Sequence, residues 1–141
     1  MQTFLPYPDF KASAACLDYR RLGNQRIEAK QIHRIVSGLA VTKGSQNHPA
    51  ILMWMSYPKS LAEYHNAMIV EWISRGYRNT MPLLELTSQG EQPLWLGDSR
   101  LHRSHQSNLL RKDFQFYNRY CWDVPTNLPY YWAVTTMPNE N

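Results

Sequence analysis

Apolar residues in the first third of this chain recur at three- and four-residue steps, and no segment alternates convincingly with the period of a strand. Ile32, Ile35 and Leu39 fall on one helix face, which commits residues 12–39 to a helix and the chain to an all-α fold. Followed backward, the same line turns polar: Glu28, Gln25 and Arg21 continue it, with Arg20 and Arg26 alongside. Burying such groups costs several kcal/mol unless each finds a partner. The segment therefore reads as a polar network, as a solvated helix end, or as the wall of a functional cleft.

Punctuation along the chain sets the remaining elements. Pro6 and Pro8 around Tyr7 predict an extended N-terminal arm, and Asp9 is a natural N-cap for the first helix. Ser37-Gly38 begins its exit, and residues 40–48, with Lys43, Gly44, Ser45, Gln46 and Asn47, form a polar connector. Pro49 suits the first turn of a short helix over Ala50–Met55, and Pro58 marks a break. Lys59–Arg75 is the clearest amphipathic helix, with Leu61, Tyr64, His65, Met68, Trp72 and Ile73 at helical spacing and Gly76 as its stop. His65 on that stripe reads as a hydrogen-bonded core histidine. Residues 76–97 are loop-like, although Leu83, Leu84 and Leu86 could form a short turn. Asp98 or Ser99 caps a last helix to about Lys112, and the aromatic tail with Pro125 and Pro129 folds back as a strap. The expectation is a compact all-α single domain, residues 1–141, of three main helices with an extended N-terminal arm and an aromatic C-terminal strap.

At 141 residues the chain can bury a core without covalent staples. Two cysteines, Cys16 and Cys121, are too few for a disulfide framework, which favours a reducing, cytoplasmic setting. No run approaches the length of a membrane span, so no membrane partner is expected. The net charge of +4 is unevenly spread. Residues 10–43 hold seven basic side chains against two acidic ones, and residues 98–121 hold five against two. If both segments share a face, their field favours a polyanion such as nucleic acid; otherwise they are two solvated helix faces.

A second polar constellation lies on the last helix. His102 and His105 share one side at helical spacing, and Asn108 and Arg111 another, with Arg103 and Lys112 nearby. Such donors grip phosphates, although they also serve a helix capped by its own hydroxyls. A zinc site built from His102, His105 and the two cysteines lacks any paired ligand spacing, so neither metal nor other cofactor is expected. No glycine-rich phosphate loop, nucleophile elbow or zinc-protease motif is present. One candidate for a less conspicuous nucleophile is the chain's own α-amine. Gln2 is bulky enough that Met1 is expected to stay. An α-amine titrates at about 7.7–8.0 against about 10.4 for a lysine, so roughly a tenth of it is neutral near pH 7. Such an amine can attack a sugar C1′.

These residues resemble a family. Leu17-Asp18-Tyr19-Arg20-Arg21-Leu22 resembles the Tyr-Arg-Glu-Leu segment of the phage-type pyrimidine-dimer DNA glycosylases, the endonuclease V family. Tyr64 to Tyr77, ending Ile73-Ser74-Arg75-Gly76-Tyr77, resembles that family's second long helix with its Arg-Gly-aromatic stop. The segment around His102–Lys112 and the aromatic strap follow in the corresponding order. The resemblance implies a compact helical protein on double-stranded DNA, an α-amine that forms an imine with the deoxyribose, and β-elimination of the backbone. It also implies a flipped base and a supporting glutamate on the first helix. Arg20 matches the family arginine, whereas Arg21 stands where the glutamate belongs. Glu28, two turns later on the same stripe, is the carboxylate placed to substitute, about 10 Å further along, which requires a shifted active centre.

Three readings follow. The leading one is a DNA glycosylase/lyase-like enzyme on a damaged or modified base, with Met1, Glu28 and His105 as catalytic groups. Arg20, Arg21, Gln25, Arg26, Lys30, His102, Arg103, Asn108, Arg111 and Lys112 then contact the DNA. The second is a nucleic-acid-binding module on the same scaffold without catalysis, favoured by Arg21. The third is a nucleotide-processing enzyme using the region of Glu28 and His105.

Overall fold

The computed structural model describes residues 1–40, 47–86 and 91–134. Lys43, Gly44, Ser45 and Gln46 of the expected connector, and Gly90, lie outside the described residues. The described residues are helical or irregular, with no strand, so the all-α expectation holds. The order is α1 (Phe10–Cys16), α2 (Tyr19–Val36), α3 (Pro49–Trp54), α4 (Pro58–Ser74), α5 (Ser99–Lys112), α6 (Phe114–Tyr117) and a 3-10 turn over Asn118–Tyr120. The three long helices, α2, α4 and α5, carry the architecture.

The first predicted helix is two helices. Asp9 caps α1 by accepting from Ala12 N at 2.9 Å. The backbone is extended at Leu17 and Asp18, and Asp18 then caps α2 by accepting from Arg21 N. An acceptor side chain that satisfies the first free N–H groups of a new helix ends the old one, and periodicity alone does not show that. Leu39 lies past the end of α2 and is exposed, as is Ile73 near the end of α4, so neither belongs to the core stripes assigned to them. Gly38 turns the chain at φ 76°. Leu83, Leu84 and Leu86 form no turn. Pro58 opens α4 at its first position, where a missing N–H costs nothing, and Gly76 closes it at φ 88°.

Leu17, Leu22, Ile32, Ile51, Trp54, Leu61, Tyr64, Met68, Leu101 and Tyr117 are fully buried. His65 is buried too, with Nδ1 at 2.9 Å from Asn66 Oδ1. Helices α2 and α4 approach closely at Gly23, where a β-carbon would lie 3.1 Å from the Trp72 ring.

The arm is extended as expected, but it is inside the protein. Gln2, Thr3, Phe4 and Leu5 are all buried, and the segment has no strand partner. A buried backbone must still hydrogen-bond, so side chains take the role of a neighbouring strand. Phe4 N donates to Gln25 Oε1 (2.9 Å), and Gln25 Nε2 donates to the Gln2 carbonyl (3.0 Å). Leu5 N donates to His105 Nδ1 (2.8 Å), His102 Nδ1 to the Leu5 carbonyl (2.7 Å), and Gln106 Nε2 to the Pro6 carbonyl (2.8 Å). The strap is held likewise by the next face of α5. Leu128 N donates to Ser107 Oγ and Tyr131 N to Ser104 Oγ, each at 3.0 Å. Asn108 Nδ2 and Arg111 donate to strap carbonyls at Leu128 and Thr126.

Candidate active site

Where the arm crosses α2, the chain terminus lies in a cleft of about 500 Å³. Arg20, Arg21, Asn24, Gln25 and Glu28 of α2 line one wall, Met1, Gln2 and Phe4 the floor, and Lys112 and Tyr130 the far side. The spacing of these α2 residues puts them on one helix face. The Met1 amine lies 3.8 Å from Glu28 Oε1, and the same oxygen accepts from Gln2 N at 3.0 Å. Gln25 Nε2 is 3.5 Å from the other carboxylate oxygen. A primary amine, a carboxylate and three cations therefore face one solvent-open space. A larger groove of about 700 Å³ runs beside the start of α1 and α4, but Asp9, Glu63 and Glu71 line it against one lysine, Lys11. Such a lining repels an anionic ligand, so the smaller cleft is the candidate site.

Gln25 is the joint between cleft and core. It is 1% exposed, and its Oε1 accepts from Phe4 N and from Tyr64 OH (2.6 Å). The Tyr64 hydroxyl also lies 2.9 Å from the Phe4 carbonyl, so one proton serves two acceptors. Burial pushes the Tyr64 pKa well above its ordinary value, which keeps that proton in place.

Arg21 points to the cleft wall, where Nη1 donates to Asp18 Oδ1 at 3.1 Å. The same oxygen accepts from the Tyr117 hydroxyl, which accepts in turn from Asp18 N at 3.0 Å. Burial raises the Asp18 pKa, but the hydrogen bonds from Tyr117 and Arg21 outweigh it and hold the carboxyl below its ordinary value. Arg21 is thus tied to an anion of its own helix cap, and the carboxylate facing the amine is Glu28.

Several residues expected at the site are elsewhere. His105 is fully buried with Nδ1 committed to Leu5 N, which puts its proton on Nε2 among the rings of Phe4 and Tyr130. His102 accepts from Gly97 N at Nε2 (2.9 Å) and donates from Nδ1, so both nitrogens are used. These histidines hold the arm and do not line the cleft. Arg103 donates to the Asp123 carbonyl, Arg111 and Asn108 donate to the strap, and Arg111 also donates to Asn108 Oδ1. Arg26 packs its guanidinium on Trp72 and donates to Asn79 Oδ1 (2.7 Å). Lys30 does not line the cleft either. Among the expected residues, the cleft collects Met1, Glu28, Arg20, Arg21, Gln25 and Lys112. Gln2, Phe4, Asn24 and Tyr130 are additions. Asn24 was visible as the residue one turn before Glu28, whereas nothing in the aromatic tail singles out Tyr130.

Burial, and secondarily His102, lowers the His105 pKa to about 3. The unfolded chain therefore takes up this proton at about 6.5 and the folded chain only near 3. Stability from this group is complete above about pH 6.5 and is lost as pH falls toward 3, at up to about 1.4 kcal/mol per pH unit. Urea denaturation at pH 7 and pH 4.5 is expected to show this loss. His105→Gln, which keeps an acceptor for Leu5 N, should flatten the slope. An unchanged slope in that variant would show that other groups carry the acid sensitivity.

Among the described residues, no group of three or more His, Cys, Asp or Glu side chains could hold a metal ion. No described helix is long and apolar enough to cross a membrane.

The family model of pyrimidine dimer DNA glycosylases matches residues 1–85, which span the arm and α1 to α4. The chain belongs to that family, and with it comes a DNA-repair glycosylase-like role with DNA as substrate. No curated protein and no solved structure gives a match. The matched span ends before α5, so the helix that fixes both the arm and the strap lies beyond it.

Proposed function

We propose that this protein is a DNA glycosylase and abasic-site lyase whose nucleophile is the Met1 α-amine and whose supporting carboxylate is Glu28. The observation that carries the reading is their 3.8 Å approach in a cleft bordered by Arg20, Arg21 and Lys112. The neutral amine attacks C1′ of the deoxyribose as the bond to the base breaks, and the base leaves with a proton. Loss of a proton from nitrogen and opening of the sugar give the imine. Removal of a C2′ proton then expels the 3′ phosphate by β-elimination. Glu28 accepts the proton the amine sheds and offsets positive charge on the sugar. The three cations hold the phosphates on either side of a duplex target. Glu28 stands two turns beyond the family glutamate's place, so this reading requires an active centre shifted along α2. His105, buried and committed to the arm, acts as a positioning group.

The test is borohydride reduction on duplex DNA carrying an abasic site. A covalent adduct is expected, with the modified nitrogen mapped to the Met1 peptide, and acetylation of the terminus should abolish it while binding persists. Salt-sensitive binding with no adduct on abasic or modified duplexes would overturn catalysis and leave a binding module on the same scaffold.

A further inference from the structure

The flank of α2 opposite the cleft carries a feature that the reaction does not use. Tyr19 and Tyr77 are exposed by 50% and 39%, with ring centroids 6.1 Å apart, and Tyr77 lies 4.5 Å from Trp72. The three rings form one ridge. Its backing is fixed, since Trp72 packs over Gly23, sits beneath the Arg26 guanidinium at 4.2 Å, and donates from Nε1 to the Arg78 carbonyl at 2.8 Å. Arg26 in turn holds Asn79, so the loop bearing Tyr77 and Arg78 is tied to α2. Arg20 and Arg78 are exposed at its edges, and neither pairs with a carboxylate among the described residues.

Position on the helix relates ridge and cleft. Tyr19, Gly23 and Arg26 lie on one flank of α2, and Arg21, Gln25 and Glu28 on the other. Between them runs the exposed strip of Arg20, Asn24, Ile27, Gln31 and Arg34. Helix α2 bears five basic side chains and one carboxylate. A polyanion lying along that strip meets the amine on one side and the rings on the other. The separation is about one helix diameter, ~10 Å, or roughly three stacked nucleotides. Exposed, rigidly backed aromatic rings edged by arginine offer a face on which unpaired bases stack whatever their identity.

We infer that the Tyr19–Tyr77–Trp72 ridge is a stacking platform for unpaired bases of the DNA strand a few nucleotides from the reacting sugar. The platform makes the protein favour DNA that is locally unpaired beside the target over fully paired DNA. This rests on DNA being the ligand of the cleft, but not on the chemistry there, so the two readings fail separately.

The test measures the dissociation constant of the full chain, without borohydride and at fixed salt, for two duplexes. Both carry one abasic site, and one has a short single-stranded gap beside it. Wild type is expected to favour the gapped duplex by about tenfold. Tyr19→Leu, at an exposed position that retains an apolar contact with Tyr77, should remove most of that preference, and Tyr19→Trp should restore it. Tyr77→Ala should act like Tyr19→Leu. Absence of a preference in wild type, its persistence in Tyr19→Leu, or equal weakening on both duplexes would overturn the platform. A preference that depends on Tyr19 supports it even if no imine adduct ever forms.

Discussion

Glu28→Gln is expected to lower strand cleavage at an abasic site by about a hundred- to ten-thousand-fold, the span typical of losing a positioned acid–base group. The glutamine side chain is nearly the same shape and keeps an oxygen for Gln2 N, which now donates to Glu28 at 3.0 Å. The arm should therefore stay in place, and melting temperature and duplex binding should change little. What disappears is the anion 3.8 Å from the amine. Single-turnover cleavage beside a binding isotherm separates the two effects. Cleavage within a few-fold of wild type would remove Glu28 from the chemistry and send the search for a carboxylate elsewhere.

The second large effect is on stability. Gln25→Leu should cost about 3 kcal/mol, because it strands the Phe4 N–H and the Gln2 carbonyl in a buried setting, each orphan group costing roughly 1–3 kcal/mol. Tyr64 keeps the Phe4 carbonyl as a partner, so its hydroxyl adds little to the loss. The arm's end then keeps only Glu28 as a partner on α2, through Gln2 N, and adduct yield on abasic DNA should fall with stability, even where the chain remains folded. Denaturant titration gives the first quantity and trapping the second. A variant as stable as wild type would show that the Gln25 bonds do not hold the arm.

How much of this the sequence shows depends on whether a residue's partner is local. Asp9, Gly76 and Asp98 act on their own helix ends and were legible, whereas Pro58, read as a break, is the first residue of α4. Glu28 was legible as the carboxylate of a polar stripe, because the alternatives on that face were amides and cations. The break at Asp18 was harder to see, since residues on both sides favour helix and the cap is visible only once its Arg21 and Tyr117 partners are known. The face of α5 misled for a physical reason. His, Ser, Asn and Arg present the same donors to a phosphate and to a peptide carbonyl, and nothing local says which one arrives. Here the bonds go to Leu5, Pro6, Thr126 and Leu128, as many as 100 positions away. The arm, expected to be extended but with no burial assigned to it, is inside because those side chains satisfy its backbone.

Because Leu5 is fastened to His105 and His102, the buried arm gains its second set of partners only once α5 is present. A chain cut short before residue 100 carries the whole matched family segment and the Gln25 and Glu28 contacts of α2, yet lacks the α5 partners of Leu5 and Pro6. The arm's full set of partners is thus complete only when the last long helix closes over residues 5 and 6.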